Sequence, residues 1–197
     1  MSEDNLYNQP AIGISRPVVA IIGRYNVGKS TLLNRLYGKR MAIVSDTPGT
    51  TRDRLISTIT WQGTEFTLID TGGLIADPSS MIDEGVNQQV KETVSEADLI
   101  LFLVSAADGV IPSDMEMADW LRKTGKKLLL VANKADNPKR ETMAVDFYSL
   151  GMGDPSVISA YHGLGIDDLL DRIVSMIPKS LPVDATQEDM LKIALVG

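Results

Sequence analysis

Three short segments carry residue types at spacings that can do chemistry: Gly23–Ser30 (GRYNVGKS), Asp70–Gly73 (DTGG) and Asn133–Asp136 (NKAD). The first fits G-x-x-x-x-G-K-[ST] between an apolar run and a helical pattern, the context this motif requires. Its glycines let the backbone wrap a phosphate tail, consecutive N–H groups point inward, and the following helix adds a positive end. Gly23, Asn26, Val27, Gly28, Lys29, Ser30 and Thr31 are the residues expected around that tail. Lys29 suits the β- and γ-phosphates as a point charge, and Ser30 suits Mg2+ through its hydroxyl. Asp70 ends an apolar–polar alternation, so it faces the crevice at the carboxyl edge of a sheet. Its carboxylate suits Mg2+ through water. Gly73 offers a backbone N–H to the γ-phosphate. A lone D-x-x-G is common by chance, and its weight comes from its position.

The third segment reads a base. Asp136 can accept two hydrogen bonds from guanine, at N1–H and the exocyclic amine. Adenine lacks that amine and presents an acceptor at N1. Charge-assisted bonds are about twice as strong as neutral ones, so losing both predicts a preference for guanine on the order of 10³. Asn133 is expected to brace the neighbouring loops, and the Lys134 stem to cover one face of the base. Ser159–Ala160, after the last apolar run, can supply a backbone N–H to guanine O6.

These residues need a scaffold. The chain has 197 residues, 44% apolar and 23% charged, which suits one soluble domain of about 100–200 residues. No apolar stretch approaches the roughly 20 residues of a membrane span. The start, MSEDNLYNQP, is unlike a secretory leader, so the cytoplasm is expected. Cysteine is absent, which excludes disulfides and thiolate metal sites. The net charge of −7 argues against a broad basic face for nucleic acid.

The pattern predicts strands at Pro17–Ile22, Leu99–Val104, Lys127–Ala132 and Ser156–Ser159. It predicts helices at Lys29–Tyr37, Ser113–Thr124, Arg140–Leu150 and Ile166–Met176. Arg54–Trp61 and Thr64–Ile69 alternate around Gln62–Gly63 as a hairpin. Lys39–Asp53, with Pro48 and Gly49 among threonines, predicts a mobile loop. The fold class is α/β: a P-loop NTPase three-layer sandwich, mostly parallel, with helices on both faces, in the Ras-like G-domain arrangement. Residues 1–14 read as a tail, 15–178 as a nucleotide-binding domain and 179–190 as a linker. LKIALVG (191–197) repeats the strand-then-Gly pattern of PVVAIIG (17–23), as the start of a second such domain.

GRYNVGKSTLLNRL (23–36), DTPGTTRDR (46–54), DTGGL (70–74), ANKAD (132–136) and SAYHGLGIDDLLDRI (159–173) together resemble the Der (EngA) family of bacterial GTPases. These segments span most of residues 17–177. The resemblance implies the first of two tandem G domains, GTP hydrolysis and a role in assembling the large ribosomal subunit, mostly through domains beyond this segment. It implies that Thr51, with Thr50 adjacent, contacts Mg2+ and γ-phosphate, and that Asn26 helps hold K+. Lys29, Thr51, Gly73 and Asn26 are thus the implied catalytic set, and Ser30, Thr51 and Asp70 the metal set. Tyr25 departs from the family's usual proline. Leu74 follows Gly73 where many small GTPases have a water-orienting glutamine. Slow turnover with K+ stimulation is therefore expected.

Other readings share the phosphate loop. A P-loop kinase or ATPase would not need NKAD, a nucleotide-holding module would not turn over, and an Era-like or tRNA-modifying GTPase would share every motif. His162, Arg52, Arg54, Trp61, Met115, Met117 and the Lys39–Arg40 pair are read as turn, packing or solvated positions.

Overall fold

Five apolar residues, Val18–Ile22, form β1, and the strand is buried along nearly its whole length. In the computed structural model, residues 16–38, 42–43, 55–70, 84–137 and 144–179 are described. After β1 come α1 (Lys29–Gly38), β2 (Ala42–Ile43), β3 (Leu55–Trp61), β4 (Thr64–Asp70), α2 (Glu84–Glu96), β5 (Leu99–Ser105) and α3 (Pro112–Lys123). β6 (Lys127–Asn133), a 3-10 helix (Ala144–Leu150), β7 (Ser156–Val157) and α4 (Ile166–Met176) complete the described elements.

The strands form one sheet in the order β2-β3-β4-β1-β5-β6-β7. The pairs β4–β1, β1–β5, β5–β6 and β6–β7 are parallel, and β2–β3 and β3–β4 are antiparallel. Every residue of β5 is buried, as a central parallel strand covered on both faces must be. Alternate residues divide the core in two. Val19, Ile21, Leu101 and Leu103 pack with Leu32, Leu33 and Leu36 of α1 and Leu169, Leu170 and Ile173 of α4. Ala20, Ile22, Phe102 and Val104 pack with Val90 and Val94 of α2 and Met117 and Leu121 of α3. The expected three layers are present. The spacing of Ile166, Leu169, Leu170 and Ile173 puts one helical stripe inward, and all four are buried.

Four local readings change. The expected loop Lys39–Asp53 contains β2, where Ala42 pairs with Ile59 and Ile43 with Thr58; these two residues cover part of an otherwise open sheet edge. The rest of that loop lies outside the described residues. α2 has no counterpart among the expected elements. Its described side chains show why: only Val90, Thr93, Val94 and, just beyond it, Ala97 are buried, and one of the four is polar, a stripe too thin to stand out. Residues 144–150 of the expected helix at 140–150 form a 3-10 helix. The Ser149 hydroxyl donates to Asp146 C=O (2.7 Å) and Gly151 N–H to Tyr148 C=O (3.0 Å), three-residue closures that compete with α-helical bonds. The last strand ends at Val157, because Ser159 turns to bridge Leu164. Among the described residues, no helix is long and apolar enough to cross a membrane.

Candidate nucleotide-binding site

Asp70, Ser105 and Asn133 are the last residues of β4, β5 and β6, and Gly23 follows β1. Ile21 lies opposite Asp70 and Ser105 opposite Asn133. The sheet therefore brings the three motif segments to one carboxyl edge, where α/β sheets bind ligands.

Between β1 and α1 the chain turns through two left-handed residues, Asn26 (φ 63°) and Gly28 (φ 98°). Such alternation aims successive N–H groups into one concavity. Only glycine suits position 28: a Cβ there would lie 2.3 Å from Asn133 Nδ2. Lys29 is buried, and its ammonium donates to the carbonyls of Gly23 (2.8 Å) and Arg24 (2.9 Å). Burial pushes its pKa down; the Asp70 carboxylate works against that shift and the Arg24 guanidinium adds to it. Asn26, Ser30 and Thr31 are exposed, Val27 is buried and Asp70 is 2% exposed.

The Asn133 side chain joins distant parts of the site. Its Nδ2 donates to Val27 C=O (2.9 Å), and its Oδ1 accepts the Ala160 N–H (2.9 Å). Its own carbonyl accepts the Ala106 N–H at 2.7 Å. The phosphate loop, the end of β5 and the loop after β7 thus meet at one buried amide. Lys134 follows in a left-handed conformation, φ 65°. Asp136 is exposed, and its Oδ1 accepts the Ser159 hydroxyl (2.7 Å); Ser159 Oγ in turn accepts the His162 N–H (3.2 Å). That chain orients the carboxylate. The amides expected to face a purine are already engaged, Ala160 N–H by Asn133 and Ser159 N–H by Leu164 C=O (3.0 Å). The next amide, Tyr161 N–H, makes no hydrogen bond with the described residues.

Residues that the motifs did not single out support this arrangement. Arg24 pairs with Asp108, and its Nε lies 3.4 Å from the buried carboxylate of Asp114 in α3. The Arg24 bond holds the Asp108 carboxyl below the usual carboxylate range, whereas burial pushes Asp114 up. Arg35 of α1 donates from Nε to Ala160 C=O (2.8 Å) and from Nη2 to Tyr161 C=O. No spacing rule in the sequence marks these partners, since each pair is joined only by folding. His162 rests its ring edge-on against Tyr161 (4.9 Å, 89°). Trp61 is a packing and bracing residue, with its Nε1 donating to Asp171 at 2.6 Å. Thr50, Thr51, Arg52, Arg54, Gly73 and Leu74 lie outside the described residues, as do residues 1–14 and 191–197.

Comparison with known proteins fits this geometry. The family described as "50S ribosome-binding GTPase" matches residues 18–134, more than half the chain. The chain belongs to this family. Residues 18–134 thus have the P-loop GTPase domain of that family, for which membership implies guanine nucleotide and Mg2+ as ligands. The chain is 49% identical over 185 residues to the GTPase Der of Latilactobacillus sakei, covering 93% of this chain and 42% of that protein. It is 49% identical over 183 residues to the GTPase Der of Moorella thermoacetica, covering 92% of this chain and 41% of that protein. The chain thus spans about two fifths of these relatives' length. Among solved structures, Era in complex with MgGDPNP and a segment of 16S ribosomal RNA matches with TM-score 0.68 and 31% identity, over 85% of this chain and 58% of that one. The G domain of the T. maritima FeoB iron transporter shares the fold, with TM-score 0.61 at 23% identity over 82% of this chain and 99% of that one.

Proposed function

We propose that this chain is the first G domain of a Der-type GTPase that acts as a switch in assembly of the large ribosomal subunit. Residues 15–178 are that domain, 179–190 a linker and 191–197 the opening strand of a second. The observation that carries the nucleotide reading is the Asn133 junction, which holds Val27 and Ala160 to one side chain. It sets the distance between a phosphate grip and a base reader.

In this reading Lys29 releases the Gly23 and Arg24 carbonyls and turns to the β- and γ-phosphates. Its buried position excludes water and strengthens that attraction. Asn26, Val27, Gly28 and Thr31 line the same tail. Ser30 and Asp70 supply a hydroxyl and a carboxylate, the hard oxygen donors that suit Mg2+, with Thr51 completing the set. When bound, Mg2+ neutralises charge on the phosphate oxygens. Gly73 donates to the γ-phosphate, and Leu74 leaves the attacking water to backbone groups. Asn26 holds K+ where an arginine would otherwise act. Asp136 accepts from guanine N1–H and the amine, and Lys134 covers the ring. Lys39–Asp53 and Thr71–Glu84 are the segments that distinguish GTP from GDP. The protein works in the cytoplasm, and its ribosomal contacts come largely from domains beyond this segment.

Titration of the chain with GTP, GDP and ATP, with and without Asp136→Asn, tests the base reading. Guanine selectivity on the order of 10³, transferred to xanthine nucleotides by the substitution, is expected; equal affinity for ATP refutes it. Hydrolysis faster in KCl than in NaCl tests the Asn26 cation, and equal rates dismiss it. Binding to large-subunit precursors by the chain joined to its remaining domains tests the ribosomal role. An Era-like assignment draws on the Era match at 31% identity, but the 49% identity to Der relatives favours the tandem family.

A further inference from the structure

We infer that Arg35 is a positioning residue for purine recognition: its guanidinium fixes the Ala160–Tyr161 peptide so that the Tyr161 N–H faces the purine's 6-oxo oxygen. The inference rests on the guanine reading above. It begins with the loop after β7, where Ser159 C=O accepts the Gly163 N–H (2.7 Å) and the Leu164 N–H (3.1 Å), while Ser159 N–H donates to Leu164 C=O. The loop is thereby closed at its base, and residues 160–163 project from it.

Two side chains hold that projection. Asn133 takes the Ala160 N–H, and Arg35 takes the Ala160 and Tyr161 carbonyls. In a trans peptide C=O and N–H point in opposite directions. Drawing Ala160 C=O towards α1 therefore turns the Tyr161 N–H away from α1, the side left for a ligand. Donation by a guanidinium into that carbonyl also polarises the same peptide and strengthens its N–H as a donor. The planar fork of arginine suits two carbonyls at once, which the single ammonium of lysine does not reproduce. Gly163 lies beside the fork with φ 76°, a left-handed turn that suits glycine; a Cβ there would meet the guanidinium carbon at an ordinary contact distance of 3.5 Å.

α1 links this device to the phosphates. Arg35 lies six residues after Lys29 on one helix, about 9 Å along its axis. The helix that opens at the phosphate grip thus carries the anchor of the base loop and fixes the span between them.

The test uses the full chain and three nucleotides: GDP, 6-thioguanosine diphosphate, whose sulfur is a poor acceptor, and inosine diphosphate, which keeps the 6-oxo group but lacks the amine. The wild type is expected to bind GDP more tightly than the thio analogue. Arg35→Met is expected to weaken GDP about tenfold, the worth of one good hydrogen bond. It should bring GDP and the thio analogue nearly level while keeping the preference for GDP over inosine diphosphate that Asp136 sets. Arg35→Lys should fall between, and it decides the matter if the methionine variant does not fold. An unchanged GDP-to-thio ratio in the variants overturns the inference, including the case where all three ligands weaken equally, the mark of a general structural lesion. A wild type with no preference for GDP over inosine diphosphate instead overturns the Asp136 reading on which it rests.

Discussion

Asn133→Ala should damage stability and nucleotide binding together. The substitution removes two side-chain bonds of 2.9 Å, to Val27 C=O and from Ala160 N–H. Val27 is 0% exposed and Ala160 1% exposed, so neither orphaned group regains water without rearrangement. A buried polar group left unpaired costs about 1–3 kcal/mol. Two such groups, partly relieved by a water in the vacated space, cost about 3 kcal/mol. For a chain of this size 1 kcal/mol moves Tm by about 2–4 °C, so the variant should melt about 6–12 °C below wild type. The backbone bond from Ala106 N–H to Asn133 C=O remains, so β5 and β6 stay paired. Asn133→Asp sharpens the case: it keeps an acceptor for Ala160 N–H but sets a buried carboxylate against Val27 C=O, and should be no better than alanine. Thermal melts by circular dichroism, with and without GDP, read both effects. GDP should stabilise the wild type by several degrees and the variants far less. A Tm for Asn133→Ala within about 2 °C of wild type, or full stabilisation by GDP, refutes the junction.

Other expectations follow from the same geometry. Lys29→Met should cost nucleotide affinity about 100-fold or more, since it removes a charged contact to phosphate, yet leave the ligand-free Tm unchanged or raised. The wild-type ammonium is desolvated, with its pKa lowered from 10.5; the folded chain binds that proton less readily than the unfolded one, so wild-type stability should rise with pH up to 10.5 and the variant should lack that slope. A large drop in Tm would count against this. Asp114 has the opposite sign: its pKa is raised above 3.8 by burial, the folded chain holds its proton longer, and its contribution to stability falls as pH rises from 3.8 through the folded value. Asp114→Asn should remove that fall, as melts across the acid range would reveal, and an unaltered slope would refute the assignment. Leu101→Ala, at a fully buried position in β5, should cost about 3 kcal/mol in urea titrations without altering guanine selectivity.

The sequence by itself determined the parts whose physics is local. An apolar strand, a glycine-bearing turn and a helix with Leu32, Leu33 and Leu36 on one face make the phosphate loop from contiguous residues. Ile166–Met176 is legible as a helix because its stripe of four apolar residues buries against one sheet face. NKAD and Asp70 are legible because each ends an apolar run, and strand ends gather at one edge of a parallel sheet. Only the tertiary structure decided which groups of the loop after β7 are engaged, and by what. Ala160 N–H is engaged by a side chain 27 residues away, and Ala160 C=O by one 125 residues away. It likewise decided that Arg24 meets Asp108, 84 residues on, that residues 144–150 close as a 3-10 helix, and that Ala42–Ile43 covers a strand edge. Hydrogen bonds and ion pairs across such separations leave no period or spacing along the chain. They exist only after the hydrophobic faces have docked and fixed where each loop stands.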